Sequence, residues 1–245
     1  MVIDFGNVAA LNIPGNLVNA GRLYAVSSNP QTTTAIFNAA NIHNQQGALF
    51  SSILPAGGIA GVTAGVSNLS LVLNAIGNIV NAGTITSAGN LTATAGGQII
   101  NALPAGAVGP GPVMQALNNV NLQTANILNS GLIAAQTGSI NIASALASNI
   151  AINNAAGRLE ALSGVINIRD ALTTGKFDTL LTGGDVLANA LNIYSGTGKI
   201  TVDVDRLDGL VNVYGGDAYL KTNISALRMG NIKLASRLTL CPRIQ

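Results

Sequence analysis

The chain has 245 residues, of which 48% are hydrophobic and only 8% charged, and its 11 Lys and Arg against 9 Asp and Glu leave a net charge of +2. No Asp, Glu, Lys or Arg occurs between Arg22 and Arg158, where His43 is the only residue able to titrate near neutral pH. That pattern argues against a disordered segment, which is polar and charged, against acid–base catalysis in more than half of the chain, and against nucleic-acid binding, which needs clustered basic residues.

A membrane-spanning helix needs a long apolar run, and here Gly, Asn, Ser or Thr interrupts every few positions. Aromatic residues are 3% and Trp is absent, so a narrow core of Ile, Leu, Val and Ala is easier to fill than a wide one. Cys241 is the only cysteine, which rules out an intrachain disulfide. Ligand groups for zinc and partners for thiol catalysis are lacking, and no metal or cofactor is expected.

In chain order, Met1 to Gly6 has neither a cationic start nor a long apolar region, and it reads as no signal peptide. Asn16-Leu17-Val18-Asn19-Ala20-Gly21 is the first copy of a motif that returns at residues 78–83 and 126–131, with a looser copy, Ile152-Asn153-Asn154-Ala155-Ala156-Gly157. A short alternating segment follows each copy, such as Thr84-Ile85-Thr86 or Leu132-Ile133-Ala134, and a second Gly then opens another strand, as in Gly138-Ser139-Ile140-Asn141. Pro- and Gly-rich stretches at 28–34, 54–65 and 103–113 read as loops that lengthen single turns of the repeat. Further on, Leu191-Asn192-Ile193-Tyr194 matches Val211-Asn212-Val213-Tyr214, and Lys199-Ile200-Thr201 is matched with Tyr219-Leu220-Lys221, a repeat of roughly 20 residues. From Lys199 to Asp205 the alternation is strict, with Ile200, Val202 and Val204 on one face. The repeat is lost at 237–245, which reads as an irregular tail.

Short strands, Gly/Asn turns and this period predict an all-β chain, a right-handed parallel β-helix of roughly ten coils over residues 1–236. Each side chain then sits over its counterpart in the next coil, about 4.8 Å away. A charge repeated in register repels its copy, whereas an asparagine amide bonds it. Gly and Asn at the corners are expected to adopt left-handed backbone.

The phrases GNIVNAGTITSAGNLTATAGG (77–97) and ANILNSGLIAAQTGSINIAS (125–144) resemble the repeats of filamentous haemagglutinin-type exoproteins, large secreted adhesins of Gram-negative bacteria. The resemblance covers about residues 11–170 well and 185–235 loosely. It implies right-handed coils, export by the two-partner route through an outer-membrane transporter, and an extracellular or cell-surface location. It also implies a host or neighbouring-cell surface protein or glycan as partner. Without a family secretion domain at its start, the chain reads as an internal portion of a longer exoprotein or a shortened relative. Exposed strand edges of such a piece would favour end-to-end self-association.

Two groups of residues are candidates for chemistry. Asp203, Asp205 and Asp208 could supply a carboxylate pair for a glycan-cleaving enzyme, or bind Ca²⁺. The preferred reading is a set of solvated charges balanced by Lys199, Lys221 and Arg206, with no enzymatic activity. Tyr194 and Tyr214 should stack on the outside as a shelf for a sugar ring or as plain cross-strand packing, and packing is preferred. The pairs Thr84/Thr86 and Thr92/Thr94 do not persist into the coil at 132–142 and are too few for an ice-binding array.

Overall fold

The computed structural model describes residues 1–144, 146–223 and 227–242. Their strands pair in parallel into two sheets of 16 and 10 strands. The fold is all-β, a right-handed parallel β-helix with three faces. The first face begins with Val2–Asp4, Arg22–Val26 and Leu49–Ser51, and the second with Leu11–Asn12, Thr34–Ala39 and Ser70–Ala75. Later in the chain single long strands (Arg158–Ile168, Asp185–Tyr194, Arg206–Gly215 and Leu227–Leu234) run across both, joining the two faces into the larger sheet. The third face is the 10-stranded sheet, from Leu17–Asn19 to Leu238–Pro242.

The core is a set of vertical stacks produced by the period-2 alternation of short strands. On the second face Leu71, Leu91, Val120, Ile140, Ile166, Leu191 and Val211 lie in register, and all are buried. On the third, Ile42, Ile79, Ile99, Ile127, Ile152, Leu181, Val202 and Leu220 do the same. The scarce aromatics concentrate at the beginning, where Phe37 meets Phe5 at 5.0 Å and Phe50 at 4.8 Å between ring centroids, both edge to face.

At the corner between the third and first faces runs a buried file of amides. Asn19 donates through Nδ2 to Oδ1 of Asn44, and the relay continues through Asn81, Asn101, Asn129 and Asn154 at 2.6–2.8 Å. Each also donates to a main-chain carbonyl of the following coil, such as Leu49, Thr84, Val113 and Leu132, so the buried amides are satisfied. Successive members are 25, 37, 20, 28 and 25 residues apart. The spread arises because the chain leaves the rod at 27–33, 52–69 and 102–112, and takes a longer connection between Ala143 and Ile150, returning each time to the same register.

The motif glycines have a different cause from the one expected. Neither Gly83 nor Gly131 has a left-handed backbone. A Cβ on Gly83 would instead meet the Ala48 carbonyl oxygen at 2.3 Å, and one on Gly131 the Pro112 carbonyl oxygen at 2.1 Å. At these two positions the backbone passes too close to the preceding coil for a side chain.

Two further expectations are corrected. Ile200 pairs with Ala218 and Val202 with Leu220, so the matched segments at 199–201 and 219–221 are offset by two residues; a shorter turn at 216–217 takes up the difference. The tail is not irregular throughout. Leu238–Pro242 pairs with Ala218–Thr222 as the tenth strand of the third face, because pairing needs backbone and inward alternation, here Leu238 over Ala218 and Leu240 over Leu220, rather than the Asn/Gly motif. Residues 243–245 lie outside the described residues.

Two substitutions test this arrangement. Ile140 is fully buried, and Ile140→Asp should lower unfolding stability by at least about 3 kcal/mol in urea titrations. Asn101→Ala removes the amide that joins Asn81 to Asn129 and should cost about 2 kcal/mol in the same assay.

Candidate functional site

The second face carries a different file of amides, facing outward. Asn141 donates to Asn121, Asn167 to Asn141, Asn192 to Asn167 and Asn212 to Asn192, at 2.7–2.9 Å. These asparagines alternate with the buried Leu, Ile and Val of the same strands, which fixes their outward direction. Asn141, Asn167 and Asn192 each use one N–H and one carbonyl lone pair in the file. An asparagine amide has two of each, so one donor and one acceptor position per residue remain for a ligand.

Two residues beyond Asn192 and Asn212, Tyr194 and Tyr214 stack in register with centroids 4.6 Å apart and planes at 8°. The structure thus brings together the two tyrosines paired in the sequence. Burial pushes the Tyr194 phenol above its usual range, and Tyr214 and Asp170 add to the shift.

The chain leaves the rod once more at 169–178, an excursion that was not expected, and it forms a wall beside Tyr194. Arg169 holds it. The residue is 9% exposed; its guanidinium donates to Thr179 Oγ1 and to the carbonyls of Ser148 and Asp178, and lies 5.5 Å from the centre of the Phe177 ring. Burial lowers the Arg169 pKa, an effect Asp178 opposes. Arg169 occupies a left-handed conformation with φ of 59°, uncommon for a non-glycine residue. Between this wall and the amide file is a recess of about 470 Å³ lined by Asn121, Asn141, Asn167, Asp170, Ala171 and Tyr194, among others.

A larger recess of about 580 Å³ lies on the third face near Asn149, Asp178 and Lys199. Its oxygens already serve the corner, with Asn149 Oδ1 accepting the Asp178 N–H and Asp178 Oδ1 the Lys199 N–H.

The three aspartates do not converge. Asp203 is half-buried on the third face and accepts from Lys221 Nζ at 3.1 Å. Asp205 sits at the corner, where its carboxylate accepts the Gly184 N–H at 2.7 Å. Asp208 lies on the first face, 3.1 Å from Arg206. The intervening Val204 is fully buried, and the turn around it separates Asp205 from the third-face strand that ends at Asp203. No group of three or more His, Cys, Asp or Glu able to hold a metal ion occurs among the described residues. Thr84/Thr86 and Thr92/Thr94 lie on the first and second faces respectively and form no common array.

Sequence reasoning found the tyrosines but missed Arg169, Asp170 and the 169–178 wall. The available signal was local: residues 169–178 contain three of the chain's few acids and bases besides Arg169 (Asp170, Lys176 and Asp178), in a stretch without the Asn/Gly motif.

Replacing Arg169 by Ala leaves Thr179 and two carbonyls without their donor. Arg169→Ala should cost about 2–3 kcal/mol in urea unfolding and raise hydrogen exchange within 169–178 above that of the neighbouring coils.

No protein-family model matches the chain, and no curated protein and no solved structure matches it.

Proposed function

We propose that this chain is a structural and adhesive segment of a secreted bacterial surface exoprotein of the filamentous haemagglutinin type. In this reading it is exported through an outer-membrane transporter and displayed outside the cell, where it meets a protein or glycan of a host or neighbouring cell. The observation that carries the reading is the continuous registered stacking from Leu17–Asn19 to Leu238–Pro242, tied along its first six coils by the buried amide file. Such a scaffold is stiff, and from Leu23 to Gly157 its outer surface offers amides and hydroxyls with no permanent charge. A rod of this kind supports adhesion by many weak contacts, and the excursions at 27–33, 52–69 and 102–112 give it variable surfaces.

The competing reading is a glycan-cleaving enzyme built on Asp203, Asp205 and Asp208. Their separate engagement by Lys221, by the Gly184 N–H and by Arg206 favours the scaffold. Beads coated with the chain should attach to epithelial or bacterial cells, and the chain should release no reducing ends from a polysaccharide panel. Release that disappears in the Asp203→Asn/Asp205→Asn double variant, with thermal stability unchanged, would overturn the scaffold reading in favour of the enzyme.

A further inference from the structure

We propose that the recess beside Tyr194 binds a neutral glycan, a sugar ring stacking on the tyrosine while its hydroxyls bond the amide file. Tyr214 covers one face of the Tyr194 ring. Every other residue lining the recess belongs to an earlier part of the chain, so the recess opens on the side of Tyr194 away from Tyr214. An aromatic face packs against the C–H face of a pyranose, and polar groups beside it fix orientation, the usual division of labour in a small-molecule site.

The floor supplies those polar groups. Asn141 and Asn167 are half-buried and each keeps one N–H and one lone pair outside the file, a donor and an acceptor at each step along the rod. A sugar hydroxyl both donates and accepts, so it suits this floor better than a group that does only one. Asn167 is paired with Asn192, one coil before the level of Tyr194, and parallel strands lie about 4.8 Å apart, so a ring packed on the open face of Tyr194 lies across the rod with its edge hydroxyls level with the Asn167 amide. The wall is fixed beforehand by the hydrogen bonds of Arg169, which limits the ordering cost of binding.

Charge selects within the glycans. The cation at the recess, Arg169, is engaged with Thr179, Ser148 and Asp178 and nearly buried. Asp170 is exposed and presents a carboxylate. Uronates and sialylated sugars are therefore disfavoured, and hexose or N-acetylhexosamine units are the fitting class.

The assignment names a partner within the adhesive reading and rests on it for its setting. Binding of free sugars is measured without cells, so its failure and a failure of bead attachment are separate results. Isothermal titration of the whole chain with oligomers of glucose, mannose and N-acetylglucosamine, and with polygalacturonate, provides the test. At least one neutral oligomer should bind. Tyr194→Ala should weaken it by about tenfold or more, and Tyr194→Phe, which keeps the ring, by no more than about twofold. Ala171→Trp, a change at an exposed position that fills the recess from its solvent side, should abolish binding without altering the melting curve; His43→Ala, on the third face, should bind like the parent. The site is refuted if no neutral oligomer binds, if polygalacturonate binds better than all of them, or if Ala171→Trp binds like the parent.

Discussion

Every position in this fold has its own counterpart as its nearest neighbour. Parallel in-register pairing places residues of successive coils about 4.8 Å apart, so a side chain is selected first by whether it tolerates a copy of itself. Branched aliphatics do, and they stack in the core. Amides do better than tolerate it, because each can donate to the next. Charges do not, and they are missing from Leu23 to Gly157. Where charges return, their order obeys the same constraint: Arg158, Asp185 and Arg206 lie in register on the first face with alternating sign, and Asp203 lies opposite Lys221.

The two amide files run in opposite senses. In the buried file each asparagine donates toward the C-terminal coil, because its N–H groups must also reach a main-chain carbonyl in that coil. On the second face each donates toward the N-terminal coil, and the direction is anchored where Asn212 Oδ1 accepts the Asn231 N–H. Their side-chain dipoles therefore oppose one another along the rod. The buried file has its backbone bonds and needs nothing more, whereas the outer file has bonds left over. The same residue type thus serves as structure inside and as a recognition surface outside.

The sequence revealed the architecture because the constraint repeats. Asn19, Asn81 and Asn129 are the second asparagines of the three clear motif copies, and all enter the buried file. Asn44 and Asn101 belong to the same file without the motif's signature, because a longer turn or a loop replaces the Gly that normally follows at the second position. The Tyr194/Tyr214 pair was legible from its spacing, and its stacking followed from register. The wall was not legible. Arg169, Asp170 and Ala171 belong to an excursion whose return path is fixed by contacts with Ser148 and Thr179, and neither contact leaves a period in the sequence. The aspartates illustrate the opposite error: Asp203 and Asp205 alternate as strand residues should, but the strand ends at Asp203 and a corner redirects the second carboxylate.

The candidate site sits where the repeat gives way. Its floor continues the periodic amide file, while its wall requires a buried cation, a left-handed backbone at Arg169 and a loop without the motif. Each of these is locally unfavourable, and the registered coils on either side provide the rigidity that holds them. A repeating scaffold alone presents the same shallow surface at every coil and cannot distinguish one ligand position from another. The irregular wall breaks that degeneracy beside Tyr194, so that the fold supplies stiffness and the departure from it supplies a place to bind.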